Sequence, residues 1–142
     1  MTLRKEKKYR LSYSDIEKVK SSLIRNGMKK LYPSRIINSC YFDTDSYELF
    51  HQSEEGVLPR KKIRVRWYNH ETKFKKEIKI SAVEGRHKKS SIYKNITKSN
   101  QLKNIYLFDS DYGALKSKII INYQRDYYIF KKMRITFDKN IN

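Results

Sequence analysis

The segment KKIRVRWYN, residues 61–69, alternates Lys62, Arg64 and Arg66 with Ile63, Val65 and Trp67. A strand sends successive side chains to opposite faces, so this one has a cationic face and an apolar face. KFKKEIKIS (73–81) repeats the design, with Lys75, Glu77 and Lys79 opposite Phe74, Ile78 and Ile80. In KKMRITFDK (131–139), Arg134, Thr136 and Asp138 stand opposite Met133, Ile135 and Phe137. RHKKSSIY (86–93), after a turn at Gly85, and KSKIIINYQRDYYIF (116–130) read as further strands of an antiparallel meander. Residues 4–11 (RKEKKYRL) read as a charged strand and 36–43 (IINSCYFD) as a β-rich run. Helical signals are fewer. Ser12 or Ser14 caps a helix whose Ile16, Val19, Leu23 and Ile24 recur at helical spacing, with Gly27 just past its end. TDSYELFHQS (44–53) opens with a capping signal and reads as a short helix. Gly56 and Pro59 mark a loop, and residues 94–116 read as a polar, irregular loop with one helical turn. The expected class is α+β, dominated by antiparallel strands.

The length of 142 residues fits one domain, 1–142, with a modest core. Charge changes the picture more. Lys plus Arg number 33 against 15 Asp plus Glu, a net +18, which attracts polyanions at long range and makes phosphate-rich partners the leading expectation. Aromatic residues at 13% are too many for a disordered basic tail and point to a real core. The single Cys40 cannot form an internal disulfide, and the start MTLRKEKKYRLS has no apolar stretch of a targeting peptide. A cytoplasmic location is the expectation. His51, His70 and His87 are scattered without ligand spacing.

Many phosphate sites use backbone amides in a glycine-rich turn. The four glycines here are far apart, so side chains must hold any phosphate. If the sheet is open, the charged faces simply meet water. If it closes into a barrel, the same pattern gives a charged interior that requires an anion or water within. Arg at the strand centres favours the second arrangement, because the guanidinium fork matches phosphate oxygens.

Five stretches carry a resemblance: RKEKKYRLS, IINSCYFDTDSYELF, KIRVRWYN, FKKEIKIS followed by EGRHKKS, and INYQRDYY with MRITFD. In this order, with YFDT, RxRWY, ExK, YxR and RITxD, the chain resembles the VTC domain, the polyphosphate polymerase branch of the CYTH-like triphosphate tunnel superfamily. The resemblance implies an antiparallel β-barrel tunnel with helices packed outside. It implies that Lys8, Arg64, Arg66, Lys79, Lys88, Arg125 and Arg134 hold nucleotide phosphates and the growing chain, with Tyr123 beside Arg125. Of these, Arg64, Arg66, Lys79, Arg125 and Arg134 are the catalytic candidates. The implied reaction transfers the terminal phosphate of ATP to polyphosphate with a divalent metal, Mn or Mg.

Two departures from the family pattern shape the expectation. The opening ExExK element of the superfamily appears as Arg4, Glu6 and Lys8, with a cation in place of the first carboxylate. Family members also continue past the RITFD strand with strands that close the barrel and carry a metal-binding glutamate, so a barrel incomplete at the C-terminus is expected. A second chain or a membrane-associated partner is then a candidate to complete it. Glu6, Glu77 and Asp138 are the substitute metal ligands on offer, although pairing with neighbouring Lys or Arg suits each better. Lys62 reads as a rim charge, and strand parity leaves Lys88 and Lys89 as alternatives, with Lys88 favoured. Cys40 reads as a small core residue, Asp43 and Asp45 as residues that order the turn after YFDT, and YQRDYY as packing. Competing functions are a polyphosphate or nucleotide sensor that binds without turnover, a triphosphatase, and a nucleic-acid binder. The last is disfavoured, because a narrow tunnel admits a linear phosphate chain more readily than a duplex.

Overall fold

The alternating segments between residues 60 and 93 become three antiparallel strands in the computed structural model, which describes residues 5–142. The elements are α1 (Tyr13–Arg25), β1 (Lys29–Asp43), α2 (Glu48–Glu55), β2 (Arg60–Tyr68), β3 (Phe74–Ala82), β4 (Gly85–Tyr93), a 310 helix (Ser99–Asn104), β5 (Tyr106–Asp109), β6 (Gly113–Phe130) and β7 (Met133–Lys139). The strands follow the order β4-β3-β2-β1-β6-β5, with β7 paired to β6. The pairs β2–β3, β3–β4, β5–β6 and β6–β7 are all antiparallel. The chain is thus a mostly antiparallel sheet with a few helices. It divides into two compact units, one built mainly from Asn38–Ile121 and the other from Lys7–Ile37 and Asn122–Asn142.

In the first unit, strand parity and register act together. Ile63 faces Ile78 and Arg64 faces Glu77 across β2–β3, while Glu77 faces Ser90 and Lys79 faces Lys88 across β3–β4. Ile63, Val65, Trp67 and Phe74 therefore gather on one side with Cys40 and Phe42 of β1. Leu49 of α2, Ile96, Leu102 of the 310 helix, Leu107 of β5 and Leu115 of β6 complete this core. Each fully buried side chain of this kind contributes about 1.5–3 kcal/mol. The helix α2 is capped from the end of β1: the Asp43 carboxylate accepts from the amides of Leu49 and Phe50, each at 3.0 Å, and Thr44 Oγ1 accepts from Glu48 at 3.0 Å. Asp43 so orders the turn as expected, whereas Asp45 is exposed and accepts an ion pair from Lys116 at 3.3 Å.

In the second unit, Ser12 accepts from the Asp15 amide at 3.1 Å and starts α1, and Gly27 follows its end at φ +103°. Ile16 and Leu23 pack against a core of Met28, Tyr128 and Phe137. Val19 and Ile24, expected on the same apolar stripe, are 39% and 48% exposed. An ion pair from Lys20 to the buried Asp126, 3.0 Å long, supplements this narrow contact, and Ser34 donates to the same carboxylate at 2.5 Å.

Three expectations are corrected. Residues 5–11 of the expected strand form none, and every one is exposed, Tyr9 and Leu11 included; Arg4 lies outside the described residues. β1 begins at Lys29 rather than residue 36, so the strand includes Pro33. The segment 94–116 holds β5 and the first residues of β6 besides its 310 helix.

Candidate functional site

The charged face of the first unit centres on Glu77, which is only 2% exposed. Its carboxylate accepts from Arg64 Nε at 2.8 Å and pairs with Lys88 Nζ at 2.7 Å, with Arg66 Nε at 3.9 Å. Arg64 also donates to the Tyr41 hydroxyl at 3.1 Å, and Arg66, itself buried, donates to the buried Ser39 hydroxyl at 3.0 Å. Glu77 of β3 and two residues of β1, Ser39 and Tyr41, thus fix both guanidinium groups. Burial pushes the Glu77 carboxyl up, but the Lys88 hydrogen bond and the Arg64 and Arg66 charges outweigh it and hold it below the usual carboxylate range. Burial likewise favours a neutral Tyr41, yet the Arg64 guanidinium and its hydrogen bond, with Arg66 and Lys62, leave the phenol below its ordinary value. Around this knot, Lys79 and Arg86 share Glu6, at 3.5 and 3.2 Å. Lys62, Lys75 and Lys79 share the face by register, so cations outnumber carboxylates on it.

The second unit carries a different arrangement. Arg125 and Asp138, opposite one another in the β6–β7 register, pair through two bonds of 2.6 and 2.9 Å, and Arg125 also donates to Tyr123 at 3.3 Å. Burial opposes the Arg125 charge, but the Asp138 hydrogen bonds raise its affinity for the proton. Next along the face, the buried Tyr127 hydroxyl accepts from Arg35 Nε at 3.2 Å and Nη2 at 2.9 Å, and the Arg134 guanidinium lies 5.2 Å from the same ring. Arg134 is exposed.

Residues 3–142 match the VTC domain family over nearly the whole sequence. The chain belongs to the VTC domain family. In fold, this VTC domain is similar to the PH1819 protein from Pyrococcus horikoshii OT3, with a TM-score of 0.53 at 14% identity; the likeness covers 86% of this chain and 64% of that one. No curated protein matches the sequence.

The VTC domain therefore places its sequence-derived site residues in two groups. Arg64, Arg66, Lys79 and Lys88 meet on one face of the first unit, and Tyr123, Arg125 and Arg134 lie on one face of the second. Lys8 is exposed in the segment before α1. The choice between Lys88 and Lys89 is settled in orientation by the β3–β4 register, which sets Lys88 across from Lys79. Ser39, Tyr41, Arg86, Arg35 and Tyr127 were not nominated from the sequence. Ser39 and Tyr41 share parity within IINSCYFD, which was the one available signal for them.

Cys40 is a core residue, its thiol pushed up to about 11 by burial. Tyr127 and Tyr128 are packed in the interior. Among the described residues, no three His, Cys, Asp or Glu side chains converge as a metal site. Glu6, Glu77 and Asp138 each face Lys or Arg instead, so this donor set does not fit a resident Mn or Mg ion. No helix among the described residues is long and apolar enough to cross a membrane.

Proposed function

We propose that the chain binds linear phosphate chains on the cationic face of β2, β3 and β4. In this reading it acts as a polyphosphate polymerase-like domain that aligns the terminal phosphate of ATP with the end of a polyphosphate. The observation that carries the reading is the pair of half-buried Arg64 and buried Arg66, fixed by Glu77, Tyr41 and Ser39, in a VTC family chain. Buried, preorganised guanidinium groups act on a phosphate more strongly than solvated ones. Glu77 lies between them and Lys88 and eases their mutual repulsion.

Phosphoryl transfer needs alignment and charge neutralisation more than covalent help. In the proposed step a terminal oxygen of polyphosphate attacks the γ-phosphorus, the bond to the β–γ bridging oxygen breaks, and ADP leaves. Arg64 and Arg66 neutralise the oxygens of the transferred group, while Lys79, Lys88 and Arg86 at the more open edge guide the chain. The closed tunnel belongs to the same proposal. It is supported by the single-sided charge of the strands and by helices packed on the apolar side in the first unit. The chemistry assigned here uses the chain's own cations.

A second reading, a phosphate-chain sensor without transfer, draws support from Glu6, Glu77 and Asp138, each of which is engaged by a cation. Binding of polyphosphate and of a charge-matched duplex DNA, titrated across a salt series with ATP and manganese turnover in the same preparation, tests both. Polyphosphate preference that survives salt supports the site, and turnover decides for transfer over sensing. Equal, salt-labile binding to both polymers would mean a basic surface only and end the proposal.

A further inference from the structure

The β6–β7 hairpin ends in a turn that its own sequence disfavours. Phe130 pairs with Met133, so Lys131 and Lys132 are the two turn residues, and both have left-handed backbones at φ +45° and +64°. A two-residue turn of this hand suits Asn-Gly, and a Lys side chain is strained at either position. Both lysines are exposed at the tip, the Lys131 ammonium 5.2 Å from the Phe130 ring centre. More cations gather at the same end of the second unit. Met28 packs on Tyr128 and Phe137, and Ser34 and Arg35 bond Asp126 and Tyr127, so the start of β1 runs alongside the end of β6. That brings the exposed Lys29 and Lys30, and Arg25 in the last turn of α1, to the hairpin end. Residues 24–30 and 129–134 contain no carboxylate. Among these cations two large apolar side chains are open to solvent, Ile24 at 48% and Met133 at 57%.

We infer that this end of the second unit docks on an anionic lipid bilayer, with Lys29, Lys30, Lys131 and Lys132 at the headgroups and Met133 and Ile24 entering the interface. Lysines on flexible stems suit a diffuse layer of lipid charge, each adding attraction within a Debye length of the surface. Exposed apolar side chains between them gain from partial burial in the acyl boundary. A nucleic acid would leave those apolar side chains in water, and Phe130, the aromatic residue next to the turn, is half-buried beneath Lys131. The inference stands on the second unit alone and is independent of the phosphate-chain reading.

The test is co-sedimentation of the full chain with vesicles of phosphatidylcholine alone or mixed with phosphatidylserine, beside duplex DNA binding and thermal melting. Lys131→Asn with Lys132→Gly removes two charges while giving the turn its preferred residues. It should melt higher than the parent chain yet partition about tenfold or more weakly onto the serine-lipid vesicles. Met133→Ser should weaken vesicle partition and leave DNA binding unchanged. Vesicle partition that is absent in the parent chain, or unchanged in both variants, overturns the inference. Loss of DNA binding in the Asn-Gly variant without vesicle binding by the parent chain assigns the tip to nucleic acid instead.

Discussion

The two units solve the problem of crowded cations in different ways. In the first, one carboxylate almost out of reach of solvent, Glu77, is surrounded by Arg64, Arg66 and Lys88. In the second, Arg125 is matched by Asp138 in a two-bond pair, and Arg35 and Arg134 share the Tyr127 side chain. A matched pair satisfies itself. In the first unit several cations converge on one buried carboxylate, so an anion that enters the face meets more than one cation at once. The difference makes the Glu77 face the stronger candidate for phosphate, although the family resemblance implicates arginines of both.

Removing Glu77 should break this contrast most severely. Glu77→Gln leaves three cations without their common partner, and loss of one member of a buried ionic network typically costs about 3–5 kcal/mol, measurable by urea unfolding. Its pH dependence follows from the same cluster. The folded carboxyl lies below its unfolded value, so the stabilisation is fully present above the ordinary carboxylate range and is lost as pH falls through the lower, folded value. Asp126 is depressed too, since Ser34 and Lys20 outweigh its burial, and therefore adds to the same acid loss. Stability against pH should fall less steeply on the acid side in Glu77→Gln than in the parent chain, and an unaltered acid limb would count against the Glu77 network.

Smaller effects sharpen the comparison. Arg134→Ala should weaken polyphosphate binding by about 1–3 kcal/mol if the second unit's exposed arginine takes part. No change there, with a loss at Arg64, would confine phosphate binding to the first unit. A double-mutant cycle on Arg125 and Asp138 should give a coupling of about 1 kcal/mol in stability, as expected for a partly exposed matched pair. A coupling near zero would mean that the pair is not held in solution. Smallest of all in binding, Lys76→Ala, on the opposite side of β3 from Glu77, should leave anion affinity unchanged.

Much of this contrast was legible in the sequence where one strand face is apolar. The alternation around Ile63, Val65 and Trp67 fixed which arginines share a face, because a one-residue slip would expose the core. Glu77 was legible as a neighbour of Arg64 in type, and pairing with cations suited it better than metal binding. Its depth was not legible, since burial of a charge depends on partners from β1 and β4. Other elements carried weak signals. Residues 5–11 are mostly charged and their two apolar positions, Tyr9 and Leu11, stay exposed, so little burial drives them into a sheet. The start of β1 is polar and contains Pro33, and β5 is four residues long with Tyr106 and Phe108 turned outward. Arg35 and Tyr127 became neighbours only through pairing of strands 92 residues apart in sequence.

The most direct test of the central claim is the polyphosphate affinity of the parent chain, Arg64→Ala and Lys76→Ala, measured side by side at one salt concentration. Loss of the guanidinium fixed by Glu77 and Tyr41 should weaken binding about 5- to 150-fold, while Lys76→Ala binds like the parent. Equal affinity in all three would contradict a phosphate-chain site on this face.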